Sequence, residues 1–274
     1  MENKKVKKQA RVIETERDIC VYEFLDRVGV ATYEQIKLWL DSRNNKSTLD
    51  AVKQRLRTLA RFNRVKSFKT YKGTYYALNK HSQRQNALIT KINFERLDHE
   101  DFLRNLYLKF DAIDEWLTSR QILAEIKVGT RSNKLKIPIP DMIIRDSNFN
   151  ELVHIEYERT RKSGHDVKNV IFDVVHSPRR SHFNAKVLII AENMTIFNNY
   201  VKQISCFEND PLVITKDLQA FKVRDVVHIN ETLYNDSAEF FICLISNYTK
   251  VLRDKFNVSL PLKFDENGEP IINW

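Results

Sequence analysis

Residues 152–160, LVHIEYERT, alternate in character from one residue to the next, which is the pattern of a β-strand with two unlike faces. Val153, Ile155 and Tyr157 make one face, an ordinary core face. Leu152, His154, Glu156, Glu158 and Thr160 make the other. Carboxylates in the middle of a sheet cost free energy unless they are paired or bind something. The stretch before it, KIPIPDMIIRD, reads as a second strand, and SNFN between the two is a polar turn. Paired as a hairpin, these strands bring Asp141 near Glu156. The chain must therefore fold around a sheet whose centre carries acids.

The surrounding pattern supplies the rest of that sheet. KVLIIA (186–191) shows no alternation and reads as a strand buried on both faces. QILAEIKV (121–128) and PLVIT (211–215) are further strands. Helices are expected at 98–117, with Phe102, Leu106, Phe110 and Ile113 on one face, at 164–177, at 193–207 and as one long helix at 231–253. Helices alternating with short apolar strands give an α/β domain, a mixed sheet flanked by helices, over 98–253. Residues 254–274 form a C-terminal tail with Gly and Pro in a polar setting.

The N-terminal third differs. MENKKVKKQAR (1–11) is a basic tail. Thr15 starts a helix with Ile19, Tyr22, Phe24 and Leu25 on its apolar side, and Gly29 stops it. Thr32 caps a second helix that buries Ile36, Trp39 and Leu40. Ser47 is expected to cap a third, with Asp50 completing an approximate capping box. Leu49, Val52, Leu56 and Leu59 make its apolar stripe, and Lys53, Arg55, Arg57 and Arg61 lie opposite. Two short strands, RVKSFKT and TYYALN, follow around a turn at Gly73. Three helices and a basic hairpin over 12–80 describe a winged helix-turn-helix. Its third helix would enter a major groove while Lys66, Lys69 and Lys72 of the hairpin meet the backbone. Such domains also serve protein contacts. Residues 81–97 read as a linker, so the chain is α+β overall.

Charge favours nucleic acid as the partner. Residues 1–97 hold 22 Lys and Arg against 10 Asp and Glu, and the remainder 23 against 26. A basic module joined to a slightly acidic one fits double-stranded DNA. The longest apolar runs are too short for a bilayer span, and no secretory h-region opens the chain, so no membrane is expected. Cys20, Cys206 and Cys243 are far apart in apolar settings and read as buried free thiols, consistent with a reducing cytoplasm. With five glycines and no phosphate loop, H-E-x-x-H or C-x-x-C motif, nucleotide hydrolysis and zinc chemistry find no footing.

Asp141 and Glu156 together suit one hard divalent cation, magnesium or manganese, completed by waters. Such an ion activates water and neutralises charge on a phosphate. Lys162 follows closely enough to position water or to stabilise the transition state. His99 with Asn105, Glu125 and Thr160 are possible additions, and Tyr157 and Tyr107 are candidates for a covalent tyrosine step.

The motif Pro140–Asp141 followed by a strand with Glu-x-Glu is similar to the PD-(D/E)xK nuclease superfamily. A basic winged helix followed by LDHEDFLRNLYL, IPDMII and VHIEYERTRKS resembles the replication-relaxation family of plasmid and mobile-element proteins, related to the MobC-type relaxases. The resemblance covers roughly residues 12–190. It implies a nickase acting on plasmid or mobile-element DNA at an origin of transfer or replication. Coupling or mobilisation proteins, or a second copy of the chain, would assist. Asp141 and Glu156 would be metal ligands. Glu158 stands where many of these nucleases have lysine, and Thr160 and Lys162 match a variant with a displaced lysine. Two alternatives stand beside nicking: a non-catalytic DNA-binding replication factor with a degenerate nuclease fold, and an endonuclease cutting both strands.

Overall fold

The computed structural model describes residues 12–79, 97–108, 116–119, 121–122, 139–145, 151–175, 185–207, 209–216, 218–229 and 232–256. The basic tail 1–11, nearly all of the linker 81–97, Phe110, Ile113, Glu125 and residues 257–274 lie outside that set. The chain divides into two compact units, 1–97 and 98–274. It is a mixed α and β protein with one three-stranded and one seven-stranded sheet among the described residues.

In the first unit, α1 (Glu16–Val28), β1 (Val30–Thr32), α2 (Tyr33–Ser42), α3 (Leu49–Arg61), β2 (Val65–Thr70) and β3 (Gly73–Leu78) follow in order, and the sheet runs β1-β3-β2. Local chemistry sets the boundaries. Thr15 and Asp18, then Thr32 and Gln35, form complete capping boxes that satisfy helix N–H groups otherwise left over. Gly29 ends α1 at φ 81°. Asn44 and Asn63 end α2 and α3 in left-handed conformation, and the Arg64 N–H returns to the Leu59 carbonyl in a Schellman pattern. The cap of α3 is Thr48 and not Ser47: its hydroxyl accepts the Ala51 N–H, so the helix begins one residue later than expected. Ile19 is exposed rather than core. The buried face of α1 is Asp18, Val21, Phe24 and Leu25. The strand β1 was not anticipated; it is too short to show a period.

Trp39 is the keystone of this unit. It is fully buried, stacks on Phe24 at 5.1 Å between ring centroids, and donates its indole N–H to the Cys20 carbonyl at 2.9 Å. Trp39→Ala is expected to cost about 4 kcal/mol of stability. Urea unfolding monitored by circular dichroism measures it.

The second unit holds α4 (Leu97–Leu108), β4 (Trp116–Thr118), β5 (Met142–Arg145), β6 (Glu151–Glu158), α5 (Gly164–Val175), β7 (Ala185–Ala191), α6 (Met194–Ile204), β8 (Asn209–Ile214), β9 (Leu218–Ile229), β10 (Thr232–Leu244) and α7 (Tyr248–Phe256). Strand order is β4-β5-β6-β7-β10-β9-β8. β7 lies parallel to both neighbours and the other pairings are antiparallel. Its Val187, Ile189 and Ala191 join Val167 and Ile171 of α5, Phe197 and Tyr200 of α6, and Phe240 and Ile242 of β10 in one core cluster. On the opposite face, Phe102 of α4 stacks on Tyr157 at 4.0 Å and meets Tyr248 of α7 edge-on. No helix among the described residues is long and apolar enough to cross a membrane.

Three expectations change here. The helix expected over 98–117 stops at Leu108 among the described residues, and Trp116 and Leu117 belong to β4, paired with Ile144 and Ile143. Gln121 and Ile122 are helical, so the strand expected at 121–128 does not begin there. Gln121 instead bonds back to Thr118 through its side chain and ends β4. The long helix expected over 231–253 is β10 followed by the short α7. Its apolar run EFFICLI carries no helical period, and twelve residue pairs with the unanticipated β9 hold it extended. All three cysteines are free, but only Cys243 is buried and Cys206 is exposed.

Candidate functional site

The β5–β6 hairpin forms as the alternation requires. Met142 pairs with Ile155, Ile143 with His154 and Ile144 with Val153. The ladder ends at the Met142–Ile155 pair, and Asp141 and Pro140 lie just before the first residue of β5. Two side chains bond to the Tyr157 backbone beyond the end of this ladder. Asp141 Oδ2 accepts the Tyr157 N–H at 2.9 Å, and His99 Nε2 lies 3.0 Å from the Tyr157 carbonyl and 3.1 Å from Asp141 Oδ2. Both neighbours of Nε2 are acceptors, so this nitrogen carries the hydrogen and shares it. The structure thus brings His99 to Asp141. Asn105 sits on the exposed side of α4.

The acid face of β6 is covered, not solvated. His154 and Glu158 are buried and Glu156 is half-buried. Register explains the cover: His154, Glu156 and Glu158 pair with Val187, Ile189 and Ala191, the face on which α5 and α6 pack. Arg159 pairs with Asp98 at 2.6 Å and with Glu192 at 3.5 Å, and so is turned to acids outside this strand. Arg161 and Thr160 are exposed at the end of the strand.

Glu158 is held from two sides at the same oxygen. The buried Tyr200 hydroxyl of α6 donates to Oε1 at 2.6 Å, and the Lys162 ammonium donates to it as well. The neighbouring helix residue, Asn199, donates from Nδ2 to the Lys162 carbonyl at 2.9 Å. Burial raises the Tyr200 hydroxyl pKa well above its ordinary value, and Glu158, Glu156 and Asp141 raise it further. Three carboxylates therefore bear on one point beside α6. Tyr200 and Asn199 escaped the sequence reading because their partners lie 42 and 37 residues away. The available signal was the polar hydroxyl within the apolar stripe Ile196, Phe197, Tyr200 and Ile204.

The tyrosine candidates are poorly disposed for nucleophilic work. Tyr107 is fully buried. Tyr157 is stacked against Phe102 and His99, and burial, then the charge and hydrogen bond of Glu192, push its hydroxyl up to about 12.

Among the described residues, no three His, Cys, Asp or Glu side chains are grouped to hold a metal ion. Asp141 Oδ2 and the Tyr157 carbonyl are both met by His99 Nε2, and Glu156 is half-buried. Glu158 is engaged by Tyr200 and Lys162.

In the first unit, Arg57, Arg61, Lys66, Lys69 and Lys72 are exposed, with Tyr71 at the hairpin tip. Lys53 instead lies over the Tyr33 ring at 4.4 Å. Arg55 grips buried Asp18, with Nε 2.8 Å from Oδ1 and a second contact from Nη2 to Oδ2. Its Nη2 also donates to the Ile13 carbonyl at 2.8 Å. Burial alone would raise the Asp18 pKa, but the hydrogen bonds from Arg55 and Thr15 outweigh it and hold the carboxyl below its ordinary value.

Comparison of the chain with protein-family models, curated proteins and solved structures gives no match.

Proposed function

We propose that this chain is a DNA-binding, metal-dependent nickase of a plasmid or mobile element, with a winged-helix first unit and a PD-(D/E)xK-like second unit. One observation supports the reading: Asp141 and Glu156 each adjoin the Met142–Ile155 pair of β5 and β6, and the Lys162 ammonium, beyond the end of β6, is held by Glu158. Asp141, Glu156 and the Tyr157 carbonyl would hold magnesium or manganese. When bound, that ion would supply a water of lowered pKa and charge neutralisation at a phosphate. The chain's own residues do the rest. Asp141 is oriented by the Tyr157 N–H, which fixes its carboxylate plane. The half-buried setting of Glu156 limits water around it and strengthens its electrostatics. The Lys162 ammonium is a donor for a phosphate oxygen or for the attacking water.

The exposed Arg57, Arg61, Lys66, Lys69 and Lys72 support duplex binding through phosphates and base edges. Lys66→Ala and Lys69→Ala should each reduce the slope of log K against log salt by about 0.9. Fluorescence anisotropy over a salt series measures the slope.

The test of the whole reading is incubation with supercoiled plasmid carrying the element's origin region and magnesium or manganese. Nicking yields open circles, and cutting both strands yields linear DNA. A second reading, a DNA-binding replication factor without cleavage, is favoured by His99 Nε2 lying between Asp141 Oδ2 and the Tyr157 carbonyl. It expects salt-sensitive binding and intact supercoiled DNA.

A further inference from the structure

We infer that Tyr200, Glu158 and Asn199 are positioning residues that set the location of the Lys162 ammonium, so that Glu158 anchors the catalytic lysine instead of binding the metal. The inference rests on the nickase reading for its catalytic half.

Lys162 lies beyond the end of β6, in a segment without regular structure. A four-carbon stem on such a segment samples many rotamers, and an ammonium is an unoriented point charge. Two consecutive residues of α6 restrict it. Asn199 fixes the backbone by donating to the Lys162 carbonyl. Tyr200 fixes Glu158, which receives the ammonium. The anchor is rigid because the Tyr200 ring belongs to the main core cluster and has 1% exposure.

A carboxylate sunk beside Ala191 is not needed for packing, since an apolar residue of similar volume would fill that place as well. Both hydrogen bonds converge on Oε1. The fixed donor, Tyr200, on which Glu156 and Asp141 also bear, holds that oxygen in place, and the mobile donor, Lys162, is thereby localised against Glu158. A lysine four positions earlier, at the end of the strand, would not need this arrangement. Here Glu158 takes that position and holds the displaced lysine in its stead.

The test combines a chemical and a kinetic measurement on the full chain. Acylation of Lys162 by an N-hydroxysuccinimide acetate is followed by mass spectrometry, with exposed Lys66 and Lys69 as internal references. An ammonium held against a carboxylate is sheltered from the reagent. In Glu158→Gln the labelling of Lys162 should rise to the rate of Lys66, and in Asn199→Ala it should rise part of the way. Tyr200→Phe keeps the ring in the core and checks that the fold survives loss of the hydroxyl alone. In the nicking assay Glu158→Gln should lower kcat by about 10²-fold while leaving KM for DNA and half-saturating magnesium unchanged.

Unchanged labelling in Glu158→Gln overturns the anchor. Increased labelling with unchanged kcat overturns its catalytic purpose, as does an equal loss in magnesium affinity, which would make Glu158 a ligand. A wild-type chain that leaves supercoiled DNA intact overturns the nickase reading and the catalytic half of this inference together, while the labelling still decides whether the anchor exists.

Discussion

Replacing Arg55 with alanine should destabilise the first unit by about 3 kcal/mol, a larger effect than any loss of a surface cation would have. Asp18 is fully buried, and Arg55 meets both of its carboxylate oxygens. Thr15 donates to the same carboxylate from its N–H at 2.8 Å and its hydroxyl at 3.0 Å, so the cap of α1 and the tie to α3 meet at one side chain. Removing the guanidinium leaves a desolvated charge with only its capping partners. The figure is set at the low end because the Arg55 side chain is 31% exposed and water will enter in part. Replacing both partners, as Asp18→Leu with Arg55→Met, should cost less than Arg55→Ala alone, because no orphan charge remains. Urea denaturation of the singles and the double closes the cycle.

The same pair sets an acid limit. The Asp18 pKa is depressed in the folded state, so its contribution is complete above the unfolded value of 3.8 and is lost as pH falls through the folded value. Stability of the wild type should therefore decline below about pH 4 through this group, whose carboxyl ordinarily titrates near there. Arg57→Ala provides the contrast. Arg57 is exposed, so its loss should weaken DNA binding with stability changed by less than about 0.5 kcal/mol. If Arg55→Ala weakens binding while leaving the urea midpoint in place, the structural role of the pair is wrong.

Asp141→Asn and Glu156→Ala should each reduce nicking of supercoiled plasmid by at least about 10²-fold while leaving DNA affinity unchanged. Either change removes one of two carboxylates proposed to hold the cation. Asparagine is the better probe at position 141. Its oxygen still accepts the Tyr157 N–H, so that bond survives, whereas alanine would leave that N–H without its acceptor. Asp141→Asn should then cost no more than about 1 kcal/mol of stability, so lost cleavage reports on chemistry and not on folding. Binding measured by anisotropy on the same preparations separates the functions. Nicking that persists in both variants would place the chemistry elsewhere in the chain.

Legibility followed the range of the interactions. The first two helices could be read because Thr15 with Asp18, and Thr32 with Gln35, signal three residues apart. The antiparallel pairing of β5 with β6 could be read because two apolar strands lie close together in sequence. β10 could not. Its apolar stretch has no period, and the partner that keeps it extended, β9, is itself recognisable only once the two are paired. Arg55 looked like a cation on a helix surface, and its partner Asp18 lies 37 residues before it. Nothing local says that they meet. His99 was visible as a candidate, but its partners, Asp141 and the Tyr157 carbonyl, lie 42 and 58 residues away.

The parallel placement of β7 between β6 and β10 has a consequence for synthesis. β6 precedes β7 closely, but β10 must return past α6, β8 and β9 before Ala238 can meet Ala185. Until then one edge of β7, the uncharged run VLIIA, has no partner. The first unit is made of residues that all precede the second, whereas the central sheet waits for one of its last strands. A ribosome-bound or truncated chain ending before Thr232 therefore displays a sticky strand edge, the kind of surface that recruits chaperones or seeds aggregates.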